Sequence, residues 1–328
     1  MKVCVYGAGA IGGLLGSRLS AGGHQTSAIA RGRTLEALRT HGWRLQTGDE
    51  VASYPVLATA DTSEAGPQDL VIIAVKGYDI ATVAAGIGPL LGPETIVVTA
   101  VNGIPWWFFD GLKGPLAEAT LVSVDRDGNL RSNIPSHHVV GCVVHASCTS
   151  PEPGVTRHGF GNGLIVGEVV GGSSPRLEAL VEVLKSVGFQ ATGSECIQRD
   201  IWYKLWGNMT MNPVSALTGA TCDRILGDPL VRAFCVAVMG EAAAIGEKIG
   251  CPVHQSAEER NAVTLKLGAF KTSMLQDVEA GRPLEINSLL TVVIEIANRV
   301  GVPAPNAAAL LGMVRLFAQS RGLAFDRD

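Results

Sequence analysis

Residues 2–13, KVCVYGAGAIGG, decide the fold. A short β-favouring run, Val3, Cys4, Val5 and Tyr6, stops at Gly7, and a helical pattern, AIGGLLGSRLSAGG, begins at Ala10. Between them Gly7, Ala8, Gly9, Ala10, Ile11 and Gly12 spell G-x-G-x-x-G. The first glycine of that spacing allows a tight turn, the second lets a pyrophosphate approach the backbone, and the third lets the helix pack closely. The helix N-terminus then favours the negative charge. In a chain with 40 glycines the pattern alone is weak, and its place between a strand and a helix is what assigns dinucleotide binding. One lysine ahead of an apolar stretch also has the outline of a secretory leader, a reading that the glycine spacing displaces.

Working outward, HQTSAIAR (24–31), DLVIIAVK (69–76) and TIVVTAVNG (95–103) continue the strand pattern, with helical stretches such as TLEALRTHG (34–42) between them. Near-continuous Val/Ile runs are what strands covered on both faces look like, so the first half predicts a doubly wound parallel sheet of an α/β fold. From Val139 to Glu168 strands follow one another across Gly/Pro turns, which predicts antiparallel strands appended to that sheet. GGSSPR (171–176) has the composition of a linker, yet a helix-like RLEALVEVLKSVG and a strand-like FQATGS follow it. The boundary is therefore placed near Cys196, giving domains 1–195 and 196–328. Beyond it the patterns are helical: DIWYKLWGNMTMNPVSAL, PLVRAFCVAVMGEAAAIGEKIG, NAVTLKLGAFKTSMLQDVEAG and EINSLLTVVIEIANRVG, with Gly250, Gly281 and Gly301 as helix stops.

At 328 residues, 47% of them hydrophobic, the chain can fill more than one core. A formal charge of −4 without any Lys/Arg run argues against nucleic-acid or basic membrane-surface binding. The partners to expect are small molecules or further subunits, with a homodimer left open. Seven cysteines, an odd number without a C-x-x-C pair, fit a reducing cytoplasm rather than a disulfide framework. The apolar runs noted, such as LVIIAV, are far shorter than the ~18 residues that span a bilayer, so no transmembrane segment is expected. His137 and His138 would point opposite ways on a strand and have no second ligand pair, so no metal site is expected. Cys148 near His145 lacks the third group that would orient a base, and reads as a structural cysteine.

The end of the second strand selects the dinucleotide. NAD enzymes usually carry Asp or Glu there, whereas arginine suits a 2′-phosphate. No acid occurs from His24 to Leu35, while Arg31 and Arg33 are present, which favours NADPH. The plain alternative is a pair of solvated loop charges. Lys76 and Asn102 both lie just past predicted strand ends, the edge where open α/β sheets bind ligands. Asn102-Gly103 is equally a turn signal.

In KLWGNMTMNP (204–213), Lys204, Asn208 and Asn212 stand four residues apart, so on a helix they form one polar stripe. A desolvated lysine has a lowered pKa and can serve as a general acid. In a carbonyl reduction it would neutralise the charge that grows on the oxygen, and the asparagines would bond a carboxylate or hydroxyl. The alternative is that Lys204 snorkels, Asn208 lies on the surface and Asn212 ends the helix before Pro213.

Gly7 to Gly12, Arg31, Lys76, Asn102-Gly103, KLWGNMTMNPVSAL (204–217) and TSMLQDVEAGRPLEIN (272–287) occur in an order that resembles the ketopantoate reductase (2-dehydropantoate 2-reductase) family over nearly the whole chain. The resemblance implies a Rossmann-type N-terminal domain, an all-α C-terminal domain and NADPH-dependent reduction of a 2-oxo acid in the cleft between them. On that basis Lys204 matches the catalytic lysine; Asn208, Asn212 and Ser273 match substrate-binding positions, and Glu285 the acid that holds the substrate's hydroxyl. Arg31 and Lys76 match the 2′-phosphate groups, and Asn102 the asparagine near the nicotinamide. Without the resemblance, Glu285 reads as a carboxylate favoured at a helix start after Pro283.

Where the family commonly reads E-I-D followed by N-G, this chain has Asn287 and Leu290-Thr291. After Asn102-Gly103 come Trp106, Trp107, Phe108 and Phe109 in a row, in a chain with 5% aromatics. The run reads first as core or subunit contact, and second as an enlarged apolar substrate wall. Three functions follow: reduction of ketopantoate, reduction of a bulkier or more apolar 2-oxo acid or ketone, and a non-catalytic NADP-binding sensor.

Overall fold

A computed structural model describes residues 1–325. Residues 1–101 and 128–197 form one compact unit, and residues 102–127 with the chain from Gln198 onward form a second. The segment 102–127, which sequence order puts in the first domain, therefore groups with the helical part of the chain.

The first unit holds ten strands: β1 (Lys2–Tyr6), β2 (Gln25–Ile29), β3 (Trp43–Thr47), β4 (Glu50–Tyr54), β5 (Leu57–Thr59), β6 (Leu70–Ile73), β7 (Ile96–Thr99), β8 (Val139–Thr149), β9 (Val155–Glu168) and β10 (Gln190–Gly193). They form one sheet in the order β4-β3-β9-β8-β7-β6-β1-β2-β5, with β10 also paired to β9. From β5 through β2, β1, β6 and β7 to β8 every pairing is parallel. Val3, Cys4 and Val5 of β1 and all of β6 are buried, as strands covered on both faces require. The antiparallel partner in the 139–168 region is β9, which pairs with β8. β8 itself joins the sheet as one more parallel strand. The sequence did not signal the β3–β4 hairpin, because β4 is an exposed edge strand without apolar alternation.

Six helices belong to this unit: α1 (Ala10–Ala21), α2 (Gly32–His41), α3 (Thr62–Ala65), α4 (Ile80–Gly86), α5 (Asn129–Asn133) and α6 (Pro175–Ser186). Glycines set how closely α1 lies on the sheet. A Cβ at Gly12 would strike the Gly7 carbonyl, one at Gly13 the Thr156 hydroxyl, and one at Gly16 the Trp43 indole. Leu14, Leu15 and Leu19 of α1 then fill the core with Val3, Val5, Ile72 and Leu164.

The second unit contains α7 (Ile197–Thr218), which begins at the preceding unit's last residue, and α8 (Cys222–Gly227), α9 (Pro229–Lys248), α10 (Ala257–Leu265), α11 (Ser273–Glu279), α12 (Val292–Val300) and α13 (Pro305–Ser320). Gly250, Gly281 and Gly301 follow α9, α11 and α12 at φ of 81°, 64° and 69°, as helix stops do. The single helix expected over 261–281 is two helices, because Gly268 takes a φ of 64° between them. Pro229–Ile249 is long and apolar enough to cross a bilayer by length and composition, a feature hidden from the sequence reading by the charged and small residues that interrupt it. Cys235, Val238, Met239, Ala242 and Ile245 turn one of its faces into the core of the unit.

Trp106, Trp107, Phe108 and Phe109 are no more than 1% exposed and belong to that core, not to a substrate wall. Phe108 meets Phe109 edge-on at 5.1 Å and lies 6.3 Å from the Trp202 ring of α7. Trp206 donates its indole N–H to the Met239 carbonyl at 2.8 Å, fastening α7 to α9.

The end of β9 is tied to α6 by charge. Glu168, with its side chain 6% exposed, accepts from Arg176 Nε at 2.8 Å and from the Ser174 hydroxyl. Hydrogen bonding from Arg176 holds the Glu168 carboxyl below its ordinary range against the opposing effect of burial. A carboxylate whose folded pKa is depressed adds stability above its unfolded pKa, and loses it as pH falls through the folded value. Glu168→Gln should therefore lower the unfolding free energy at neutral pH by about 1–3 kcal/mol and flatten its loss below about pH 4.5, as measured by urea titrations across pH.

Candidate active site

In the first unit β6, β1 and β2 are parallel neighbours, so their carboxyl ends share one edge. Gly7 turns there at φ +100°, and its N–H donates to the Ile29 carbonyl at 3.1 Å. A Cβ at Gly7 would lie 2.6 Å from Val75 Cγ1 and 2.9 Å from the Ala74 carbonyl oxygen, so only glycine fits. Gly9 differs: it is exposed, its φ of −82° is open to any residue, and a Cβ there would meet nothing within 4 Å. Nothing inside the unit requires a glycine at Gly9, and the bare backbone there leaves room for a close-lying phosphate group. Gly9 caps α1 without a side-chain hydrogen bond, and the first turn carries no acid, so its N–H groups face no competing anion there.

Arg31 stands two residues past β2 as the N-cap of α2, and Lys76 three residues past β6 as the N-cap of the turn Gly77–Asp79. Arg31 is 70% exposed and pairs with Asp79 across 3.1 Å. An exposed pair of this kind is worth at most about 1 kcal/mol, so Arg31 is readily released to a stronger anion. Asp79 is 48 residues from Arg31, and no local pattern announces it. Lys76 is half-buried, and Arg33 is exposed. The edge thus offers a glycine cradle with Ala8, Ala10 and Ile11 around it, and a cation beside the end of β2 where an NAD enzyme would carry an acid. These residues fit an NADP-type dinucleotide.

The second unit holds the polar stripe. α7 runs through Pro213 without ending, which overturns the reading of Asn212 as a helix end. Pro213 deprives the Met209 carbonyl of its partner four residues on. Lys204 and Asn208 are half-buried and Asn212 is 5% exposed, so the stripe turns inward along its length. Lys204 Nζ donates to Asn102 Oδ1 at 2.9 Å across 102 residues of sequence.

Asn102 is fixed by its neighbour. Gly103 takes φ +83°, and a Cβ there would overlap the Ser288 carbonyl. The next N–H, from Ile104, donates to that same carbonyl at 2.9 Å. Ser288 belongs to a π-helical turn, Asn287–Thr291, a geometry that recurs at functional sites. Farther along the segment, Glu295 of α12 accepts from the Val122 and Ser123 amides at 2.9 and 2.8 Å. Sequence reading passed over Ser288 and Glu295, because only the fold brings them to residues more than 170 positions away.

Glu285 lies two residues before the π turn, 4% exposed, at the centre of a tight turn in which the Ile286 N–H donates to the Leu284 carbonyl at 3.0 Å. Asn287 Oδ1 accepts from the Thr291 hydroxyl at 2.9 Å, and Leu290 is fully buried. Ser273 opens α11 behind its N-cap Thr272 and is half-buried. Lys204 and Asn102 are in contact, and Glu285 is joined in sequence to the turn that clamps Gly103.

His137 and His138 occupy a 3₁₀ turn before β8 and not a strand, with ring centroids 4.2 Å apart. Burial pushes the Cys148 thiol up to about 11, which leaves it protonated and unreactive at neutral pH.

The model of "Ketopantoate reductase PanE/ApbA" matches residues 3–171, and that of its C-terminal domain matches residues 196–318. A 2-dehydropantoate 2-reductase of Mesorhizobium japonicum is 42% identical over 323 residues, covering 98% of this chain and 99% of that one. A crystal structure from Ralstonia solanacearum MolK2, provisionally assigned as a ketopantoate reductase, superimposes with a TM-score of 0.94 at 57% identity over 98% of both chains. D-mandelate dehydrogenase, solved with NADH and anilino(oxo)acetate, shares the fold at a TM-score of 0.83 and 19% identity, covering 98% of this chain and 100% of that one.

Gly103→Ala should lower the unfolding free energy by about 1–3 kcal/mol, since alanine tolerates neither the positive φ nor the Ser288 carbonyl. Gly9→Ala should leave it within about 0.5 kcal/mol of wild type. Urea denaturation of both variants checks the contrast.

Proposed function

Because the chain belongs to the ketopantoate reductase family, we propose that it uses NADPH to reduce a 2-oxo acid to the 2-hydroxy acid, with 2-dehydropantoate to (R)-pantoate the first reaction to test. The observation that carries this reading is the Lys204–Asn102 hydrogen bond at the head of a polar stripe that turns inward. A lysine held at one atom by a neutral acceptor keeps its proton aimed, and that acceptor places no negative charge beside it.

Gly7, Gly9 and Gly12 would hold the pyrophosphate, and Arg31 with Lys76 the 2′-phosphate. The nicotinamide, when bound, supplies a hydride to the carbonyl carbon. Lys204 holds a proton at Nζ and gives it to the carbonyl oxygen as negative charge develops there. Asn102 fixes the ammonium. Asn208, Asn212 and Ser273 bind the substrate's carboxylate and polar groups, and Glu285 accepts from its hydroxyl.

The features that suggested a bulkier substrate do not support one. The aromatic run and Leu290 are core, and Asn287 and Thr291 bond each other. The sensor reading leaves the aimed lysine without a purpose.

Lys204→Ala should lower kcat for 2-dehydropantoate reduction by about 10²–10⁴-fold while NADPH binding, followed by fluorescence, stays at the wild-type level. Wild-type turnover in that variant contradicts the proton-donor role, and NADPH binding without turnover on any 2-oxo acid favours the sensor. Arg31→Ala should weaken NADPH binding by about 10–100-fold and leave NADH binding nearly unchanged. Equal losses for both cofactors would remove Arg31 from the 2′-phosphate.

A further inference from the structure

A guanidinium lies on α7 within about one helical turn of Lys204. Tyr203 is exposed and Lys204 and Asn208 are half-buried, whereas Leu205, Trp206 and Met209 turn into the core, so the first three mark the open side of the helix. Residues three and four apart are neighbours on a helix surface, which puts Gly207 next to both Tyr203 and Lys204. Gly207 is nevertheless buried. What covers it is Arg260 of α10. A Cβ at Gly207 would meet Arg260 Nη2 at 3.2 Å and both Cζ and Nε at 3.5 Å, so the flat head faces the bare backbone. Glycine inside a helix costs about 1 kcal/mol against alanine, and here it lets the head lie that close. The same head stands 5.4 Å from the centroid of the Tyr203 ring, whose hydroxyl donates to Gln255 Oε1 at 2.6 Å.

Arg260 has no counter-ion. Among the described residues its side chain makes no hydrogen bond and no ion pair, and Nε is shut away from solvent without an acceptor. The neighbouring acid Glu259 is committed to the capping box with Ser256. A half-buried cation gains most from an anionic partner. The terminal nitrogens keep their donors in the planar fork that bonds a carboxylate in two places.

We propose that Arg260 anchors the carboxylate of the 2-oxo acid and so selects acids over neutral ketones, an inference that deepens the reductase reading and rests on it. In a 2-oxo acid the carboxylate is bonded to the carbonyl carbon itself. The group that holds it must therefore stand beside the group that protonates the carbonyl oxygen, and on α7 the guanidinium and Lys204 are neighbours. With the carboxylate on Arg260, Asn208 and Asn212 are left to the neutral oxygens of the substrate. A ketone of the same shape would leave the guanidinium unpaired, and a site built for a charged partner rejects the analogue that lacks it.

Steady-state kinetics on 2-dehydropantoate with saturating NADPH tests this. Arg260→Ala should raise KM by about 10–100-fold and leave kcat close to wild type, because the proton donor is untouched. Arg260→Lys, a charge without the fork, should recover part of that loss. Added guanidinium chloride at millimolar concentration should lower the KM of Arg260→Ala and leave that of the wild type unchanged, a rescue that a merely structural arginine would not show. NADPH affinity should hold at the wild-type level. Calorimetric titration of 2-dehydropantoate into the NADP⁺-loaded protein reads the same contact without turnover, and Arg260→Ala should weaken it by a like factor. A protein that binds the acid through Arg260 but never reduces it supports the anchor and sinks the reductase reading alone. An unchanged KM and affinity in Arg260→Ala overturn the proposal, as does a wild type that does not bind the acid. An equal loss of NADPH affinity overturns it too, since the guanidinium would then serve the cofactor.

Discussion

The candidate chemistry hangs on the clamp at Gly103. One carbonyl, that of Ser288, leaves no space for a side chain at Gly103 and accepts the Ile104 amide, so residues 102–104 can follow only one path. That path delivers the Asn102 oxygen to Lys204. Placing a proton donor to within a few tenths of an ångström is worth more to a reaction than any single contact to substrate, because misplacement by about 1 Å can cost a hundredfold in rate. The π turn that supplies the clamp begins two residues after Glu285. The clamp thus fixes Asn102 beside Lys204 of α7, and Glu295 holds the far end of the segment that carries Asn102.

Missing side chains carry as much information here as present ones. Gly7, Gly12 and Gly103 are explained by atoms that stand where a Cβ would go. Gly9 has empty space there, which leaves the backbone at the start of α1 open to a ligand.

Much of this was legible in the sequence, and what was not has physical causes. The Val/Ile runs of β1, β6 and β7 are buried on both faces and announce themselves, whereas β4 lies exposed at an edge and has no pattern to read. G-x-G-x-x-G and the four-residue spacing of Lys204, Asn208 and Asn212 are local, and the fold keeps both as the spacing implies. Spacing could not tell that α7 passes through Pro213, since the helix is held there by tertiary packing that outweighs a lost hydrogen bond. Nor could it find the Arg31–Asp79 pair or the Ser288 clamp, which join residues far apart in the chain. The aromatic run reads first as core, and its four rings fill one, which removes the second reading of a substrate wall.

If Lys204 is the proton donor in an NADPH-dependent 2-oxo acid reduction, the pH dependence of kcat with saturating NADPH and 2-dehydropantoate reads its ionisation. The wild-type rate should fall on the alkaline side as one acid loses its proton, and Lys204→Ala should show a low, flat profile in that range. An alkaline limb that survives unchanged in the variant would assign the proton to another group and contradict it.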